Sequence, residues 1–343
     1  MTTGRAPRGK AGGAMRAIQW RRNGPPGEVL ELVDLPDPQP AAGEVLVRVH
    51  ASGVNPHDTK ARAGWRGVLH HGALVIPHSD GAGVVIAVGE GVPDSRIGQR
   101  VWTFGARHSR GTCAELVVLP ENQAARLPEG VSMAQGACLG VPCLTAHLAL
   151  FSDGPIAGHT VLVQGGAGAV GMAAIRFAAQ AGARVIATGS TEAKRRAAHE
   201  AGAAEALDYR DPQAAARILD LTGGRGVDRI IEVDFGANQA MDGQVIAPHG
   251  IIAAYSSTRE PKPVLDYYVF AKKSVTLRFV QAMLLDGAAR DAAVEATCRA
   301  VAEGWMRLPV AGVFPLERTA EAHAAQEAGP AGKVVVEVVA EAR

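Results

Sequence analysis

The chain has 343 residues, 47% hydrophobic and 20% charged, with 35 Lys and Arg against 34 Asp and Glu and a formal net charge of +1. That length suits about two domains, each with its own core. The balanced charge gives no sign of the basic footprint of a nucleic-acid binder, and no apolar run approaches the roughly 20 residues needed to cross a bilayer.

Residues 1–14 are rich in glycine and basic side chains (Arg5, Arg8, Lys10), with no aliphatic pattern and no apolar centre of a secretory signal. They predict a disordered leader, with structure starting near Met15 and a cytoplasmic location. From Met15 to about Pro128, short alternating runs at residues 45–49, 83–88 and 114–118 are separated by Gly- and Pro-rich turns and predict an antiparallel, β-rich unit.

The pattern changes at Thr160. The apolar run Thr160, Val161, Leu162, Val163 leads directly into Gly166-x-Gly168-x-x-Gly171. Gly166 is read as the turn residue, Gly168 as the point where backbone approaches a pyrophosphate, and Gly171 as the close contact of helix with sheet. Ala169 and Val170 open that helix, whose free N–H groups and dipole favour the diphosphate. An apolar-faced helix over 172–180 and a strand over 184–188 complete the strand-turn-helix-strand unit.

Beyond it, helices near 192–201, 212–221 and 238–246 alternate with strands at 227–233 and 250–255, the signature of a parallel doubly wound sheet. A helix over 291–303 and a closing strand over 332–339 follow, and that strand is expected to rejoin the first unit. The four cysteines, Cys113, Cys138, Cys143 and Cys298, are scattered and read as buried, reduced thiols. No pair of them has metal-ligand company. His70, His71, His78 and His108 read as solvated loop residues.

Several segments carry a resemblance: Gly53-Val54-Asn55-Pro56 with Asp58, Ser79 to Val84, Gly98-Gln99-Arg100-Val101, Gly140-Val141-Pro142 with Thr145, the glycine turn, and Gly332-Lys333-Val334-Val335. From about Met15 to the C-terminus the chain resembles medium-chain dehydrogenases/reductases, and within them the zinc-independent, zeta-crystallin-like quinone oxidoreductases. The resemblance implies an α/β fold in which a Rossmann doubly wound parallel sheet (138–276) is inserted in a chaperonin-10-like, β-rich catalytic domain (15–137 and 277–343). It also implies an active site in the cleft between them, and a homodimer.

Zinc alcohol dehydrogenases of this fold have Gly-Val-Cys and Gly-His-Glu where this chain has Gly53-Val54-Asn55 and His78-Ser79-Asp80, and their third ligand aligns with Val141. Asn55, Ser79 and Val141 are poor substitutes for the ligands zinc prefers, so no metal site is expected. The resemblance places Asn55 and Thr145 near a nicotinamide, with Lys60, Arg62, Trp65 and Arg66 at the mouth of the substrate cleft. Lys60 or Arg66 could polarise a carbonyl, although related reductases tend to carry tyrosines where this chain has Lys60 and Arg66.

The cofactor is expected to be NADPH. The second strand ends at Gly189 and Ser190, where an NAD enzyme usually has an acid, and Lys194 and Tyr209 match the positions that hold a 2′-phosphate in the family. Asn238, Ser256 and Lys333 complete the implied cofactor contacts. Three activities stay open: reduction of quinones, reduction of enones, enals or enoyl thioesters on the same scaffold, and a crystallin-like or RNA-associated role that merely retains nucleotide.

Overall fold

The structure is a computed structural model and describes residues 13–65, 72–107, 110–284 and 287–340. The predicted leader lies almost wholly outside the described residues, and the first strand already includes Ala14.

The first part of the chain runs β1 (Ala14–Gln19), α1 (Pro26–Val29), β2 (Glu31–Pro36), β3 (Glu44–Val54), α2 (Pro56–Ala63), β4 (Asp80–Val88), β5 (Arg100–Thr103), β6 (Leu116–Pro120) and β7 (Ala124–Arg126). Helices α3 (Met133–Gly136) and α4 (Gly140–Phe151) then lead into β8 (Thr160–Val163), α5 (Ala169–Gln180), β9 (Arg184–Thr188), α6 (Glu192–Ala201) and β10 (Glu205–Leu207). The second half follows with α7 (Ala214–Leu221), β11 (Val227–Glu232), α8 (Phe235–Val245), β12 (Ile246–Ala254), α9 (Tyr267–Ala271) and β13 (Thr276–Phe279). The chain ends in α10 (Gly287–Ala302), β14 (Val310–Pro315), α11 (Thr319–Glu327) and β15 (Lys333–Glu337).

Six strands form a wholly parallel sheet in the order β10-β9-β8-β11-β12-β13. Its central strand β8 and the core of β9 read as apolar runs because both faces of the sheet are covered. Val161 and Val163 of β8 join the core cluster under α4 and α5, while Leu162 between them joins the cluster with Ile218 and Val245 of α7 and α8. The order reverses between β8 and β11, and that switch point opens a crevice at the carboxyl ends of these two strands.

The other large sheet has seven strands in the order β14-β15-β3-β4-β5-β7, with β6 also paired to β3. The C-terminal strand β15 lies antiparallel to β3, with Val335 opposite Gly53, so the chain's end completes the sheet that its beginning started. The two sheets meet at the site: Gly332, just before β15, bridges to Gly168 and donates to Ala167 O at 3.2 Å. This is the Rossmann unit inserted in a chaperonin-10-like sheet.

One expectation needs correction. Residues Met133–Phe151 are apolar and long enough to pass for a membrane span, but they form α3 and α4 in turn, and 67% of that apolar stretch is buried inside the protein.

Candidate active site

The glycine turn begins where β8 ends. Gly165, not Gly166, takes the left-handed conformation, with φ of 70°. A Cβ on Gly166 would instead meet the Ala187 Cβ at 2.8 Å, so this glycine is needed for packing on β9. Gly171 is the tight contact between helix and turn, since a Cβ there would lie 2.4 Å from Gly165 O. Gly168 caps α5 and is exposed, and a Cβ there would meet only Gly165 O, at 3.5 Å. A ligand can therefore approach the backbone here, beside the N–H groups of Val170 and Gly171 in the first turn of α5, which have no intrahelical partner. The turn is clasped from behind by Thr188, whose hydroxyl accepts from Gly165 N at 3.1 Å and whose carbonyl accepts from Gly166 N at 2.9 Å.

At the end of β9 lies a cluster of cations. Thr191 caps α6 by accepting from Lys194 N, which sets Lys194 half-buried in the first turn behind Gly189 and Ser190. Arg195 donates to Gly189 O at 3.1 Å, and Arg210 donates to the Ser190 carbonyl. The Arg259 guanidinium lies 5.8 Å from the ring centre of half-buried Tyr209. Asp208 sits between Arg195 and Arg210, and its hydrogen bonds from Arg210 pull its pKa far down. Arg210 and Arg259 were missed by the sequence reading. Arg210 could have been suspected from its place after Tyr209, but the placement of Arg259 depends on a loop fold that has no sequence signal.

That loop is organised by Asp234, just past β11. Its Oδ1 accepts from Thr258 N at 2.7 Å and its Oδ2 from Arg259 Nε at 2.6 Å. Ser256 is half-buried, with its hydroxyl 3.0 Å from that of Thr258. Asn238 donates to Glu232 Oε1 at 2.9 Å. Lys60 of α2 reaches across to this loop, donating to Thr258 Oγ1 at 2.6 Å, with its ammonium 5.1 Å from the centre of the Trp65 ring. Lys60 thus spans the crevice between the two sheets.

On the β-rich side, Asn55 follows β3 and its backbone N–H donates to Asp58 Oδ2 at 2.7 Å. Its amide donates to Asp80 Oδ2 at 2.8 Å and accepts from Lys333 Nζ at 2.5 Å. Lys333 also pairs with Asp80 at 2.7 Å, and Asp80 Oδ1 accepts from Val141 N at 2.9 Å. Lys333 threads past Gly53, where a Cβ would crowd its Cε at 2.9 Å. Thr145 is buried one turn along α4 from Val141. The structure therefore joins Asn55 to Asp80 and Lys333, and commits the Lys333 ammonium to these two partners.

Two sequence expectations change. Arg62 does not line the cleft mouth: it is buried on the back of α2, bonded to Gly24 O and paired with Glu327 of α11. His78 is not solvated, because its Nδ1 lies 2.8 Å from Ser52 Oγ and its Nε2 lies 3.0 Å from His323 Nε2, in a buried cluster. Burial lowers the pKa of both histidines, that of His323 to about 3. Arg66, His70, His71 and His108 lie outside the described residues.

Residues 41–129 match the family described as the alcohol dehydrogenase GroES-like domain, and residues 169–293 the zinc-binding dehydrogenase family. The chain is 32% identical to the pig quinone oxidoreductase and 31% identical to the human one, each comparison covering 94% of this chain and 97% of the relative. It belongs to the quinone oxidoreductase family of the medium-chain dehydrogenases/reductases. A mycobacterial structure solved with NADPH is 31% identical, with a TM-score of 0.83, over 94% of this chain and all of the other. A structure described as an NAD-dependent alcohol dehydrogenase is 31% identical, with a TM-score of 0.86, over 95% of this chain and all of the other.

Like its relatives, this quinone oxidoreductase family member is an oxidoreductase. Its residues do not fit the zinc that one of the matching families is named for. The three aligned positions offer an amide, a hydroxyl and an aliphatic side chain, and the Lys333 ammonium already neutralises Asp80 beside Asn55. Among the described residues no group of three or more His, Cys, Asp or Glu side chains could hold a metal ion. The residues do fit a dinucleotide, because the turn leaves Gly168 open at the start of α5, whose first-turn N–H groups lack intrahelical partners.

Proposed function

We propose that the chain is an NADPH-dependent, zinc-independent reductase of quinones. The observation that carries the reading is the reach of Lys333 from beside the glycine turn to Asn55 and Asp80, which puts a fixed cation where the zinc enzymes of this superfamily bind their metal. Without a Lewis acid to hold an alkoxide, oxidation of simple alcohols is disfavoured, and an acceptor that is already electron-poor is favoured.

Bound NADPH supplies the hydride. The chain's own part is to seat the diphosphate on the turn at Gly166, Gly168, Ala169, Val170 and Gly171, and the 2′-phosphate among Gly189, Ser190, Lys194 and Tyr209. Asn238 and Ser256 line the crevice between these and the β-rich sheet. Asn55, with Lys333 behind it, and Thr145 orient the nicotinamide end. Lys60 stands at the cleft, where its ammonium can polarise an acceptor carbonyl once it leaves Thr258; Arg66 is the second cation proposed for that role. We place the protein in the cytoplasm as a homodimer that pairs along β13, the sheet edge, where Phe279 is 78% exposed.

A panel assayed with NADPH tests the reading: naphthoquinones, crotonyl-type enones and thioesters, and, in the reverse direction, ethanol and benzyl alcohol. Turnover of quinones above the others supports it. Enone or thioester turnover alone moves the activity to the second reading on the same scaffold, and robust alcohol oxidation defeats both.

A further inference from the structure

Beneath the glycine turn lies a pair of acids that the proposed chemistry does not use. Glu232, the last residue of β11, and Asp242 of α8 are both fully buried. Glu232 Oε1 accepts from Asp234 N and from Asn238 Nδ2, and Asp242 Oδ1 accepts from Gln164 Nε2 at 3.0 Å. That leaves Glu232 Oε2 and Asp242 Oδ2, which are buried with no donor to satisfy them. The two carboxyls are nevertheless within hydrogen-bonding reach of each other. Two buried acids in contact cannot both ionise, and an acid oxygen facing another needs a proton between them.

The pair is wired to the cofactor crevice in two directions. Gln164 Oε1 accepts from Thr188 Oγ1 at 2.7 Å, and Thr188 Oγ1 in turn accepts from Gly165 N, the left-handed residue of the turn. On the other side, Glu232 fixes the start of the 234–238 segment through Asp234 N and Asn238. We propose that Glu232 and Asp242 share one proton, and that this protonated pair is the positioning element which holds the glycine turn and the 234–238 segment in register for the dinucleotide.

The inference rests on the dinucleotide reading above. Burial pushes the ionisation of both acids up; Glu232 pushes that of Asp242 up further, whereas the hydrogen bond from Asp242 favours the charged form of Glu232. The other titratable groups facing Glu232 are Asp234, Tyr255 and Arg259, and Asp242 faces Glu232 and the neutral Gln164. The pair therefore keeps its proton to higher pH than an isolated carboxyl does. At alkaline pH its loss puts two charges in contact under the turn, so dinucleotide affinity falls. NADPH and NADH are affected alike, since neither the turn nor Asn238 reads the 2′-phosphate.

The test uses the full chain. Infrared spectra of wild type at neutral pH should show a buried protonated carboxyl band that disappears in Asp242→Asn and Glu232→Gln. Fluorescence titrations with NADPH and NADH from neutral to alkaline pH should show weakening of both in wild type. Asp242→Asn, which keeps a donor toward Glu232, should bind both with near wild-type affinity and lose the alkaline weakening. Asp242→Ala should bind both about tenfold or more weakly. Thermal unfolding checks that each variant is folded, and Asp242→Asn carries the test if the alanine variant is not. Absence of the band in wild type overturns the shared proton, and nucleotide binding unchanged in folded Asp242→Ala overturns the positioning role while leaving the dinucleotide reading intact. A wild type that shows the band but binds neither nucleotide overturns the positioning role and the dinucleotide reading together.

Discussion

Lys333 Nζ lies 2.7 Å from Asp80 Oδ2 with both side chains buried, tying the chain's last strand to β4 near its start. Removing one partner of a buried pair leaves an uncompensated charge, which typically costs about 3 to 5 kcal/mol. Lys333→Met should therefore destabilise the protein by roughly that range, toward its lower end because Asn55 and Val141 still donate to Asp80. Adding Asp80→Asn should recover part of the loss. Urea unfolding of the two single variants and the double variant measures the coupling, and simply additive losses would refute it.

The parallel sheet was legible in the sequence because β8 and β9 have apolar centres and amphipathic helices such as α6 and α7 alternate with the strands, so period and turn residues agree. The turn's inner working was less legible. Which of Gly165 and Gly166 takes the positive φ depends on how β9 packs against them, and both satisfy the motif. The side-chain company of Arg62, His78 and Lys333 was hidden for the same reason: each partner lies 26 to 278 residues away in sequence. Fitting those contacts requires the closing strand and α11 to have docked first. The departures at Asn55, Ser79 and Val141, by contrast, needed no fold, only the positions of the family's zinc ligands.

The donor set at those positions makes a second expectation. Purified protein should carry no stoichiometric zinc, and chelators should leave its activity unchanged. Elemental analysis showing about one zinc per chain would contradict the reading, since a structural or catalytic zinc requires deprotonated or neutral ligands that hold it tightly.

Asp58 gives a pH dependence with a definite sign. Burial raises its pKa to about 7, against an ordinary carboxyl near 3.9. The unfolded chain thus releases this proton near pH 4 and the folded chain keeps it to about pH 7. Its contribution to stability is greatest below that window, falls as pH rises through it, and is flat above, a loss of at most roughly 4 kcal/mol. Asp58→Asn, whose oxygen can still accept from Asn55 N, should flatten this slope and be the more stable form at mildly alkaline pH. Denaturant unfolding on both sides of the window reads the difference, and parallel slopes for wild type and variant would rule it out.

The cation cluster behind Gly189 leads to the cofactor prediction. The backbone of Lys194 is fixed in the first turn of α6 by its capping bond to Thr191, while Asp208 is already held by Arg195 and Arg210. A 2′-phosphate would meet Lys194 without a competing carboxylate. A hydrogen bond to a charged group contributes about 1.5 to 3 kcal/mol, so Lys194→Ala should weaken NADPH roughly tenfold to a hundredfold and leave NADH nearly unchanged. Gly189→Asp should shift preference toward NADH by offering the ribose hydroxyl an acceptor. The added Cβ comes 3.2 Å from Arg195 N, so α6 must give slightly, and Arg195 and Arg210 nearby will blunt the new charge. The shift should accordingly be smaller than the loss in Lys194→Ala. Binding constants for both nucleotides decide the matter: if Lys194→Ala weakens NADH as much as NADPH, the cluster does not read the phosphate.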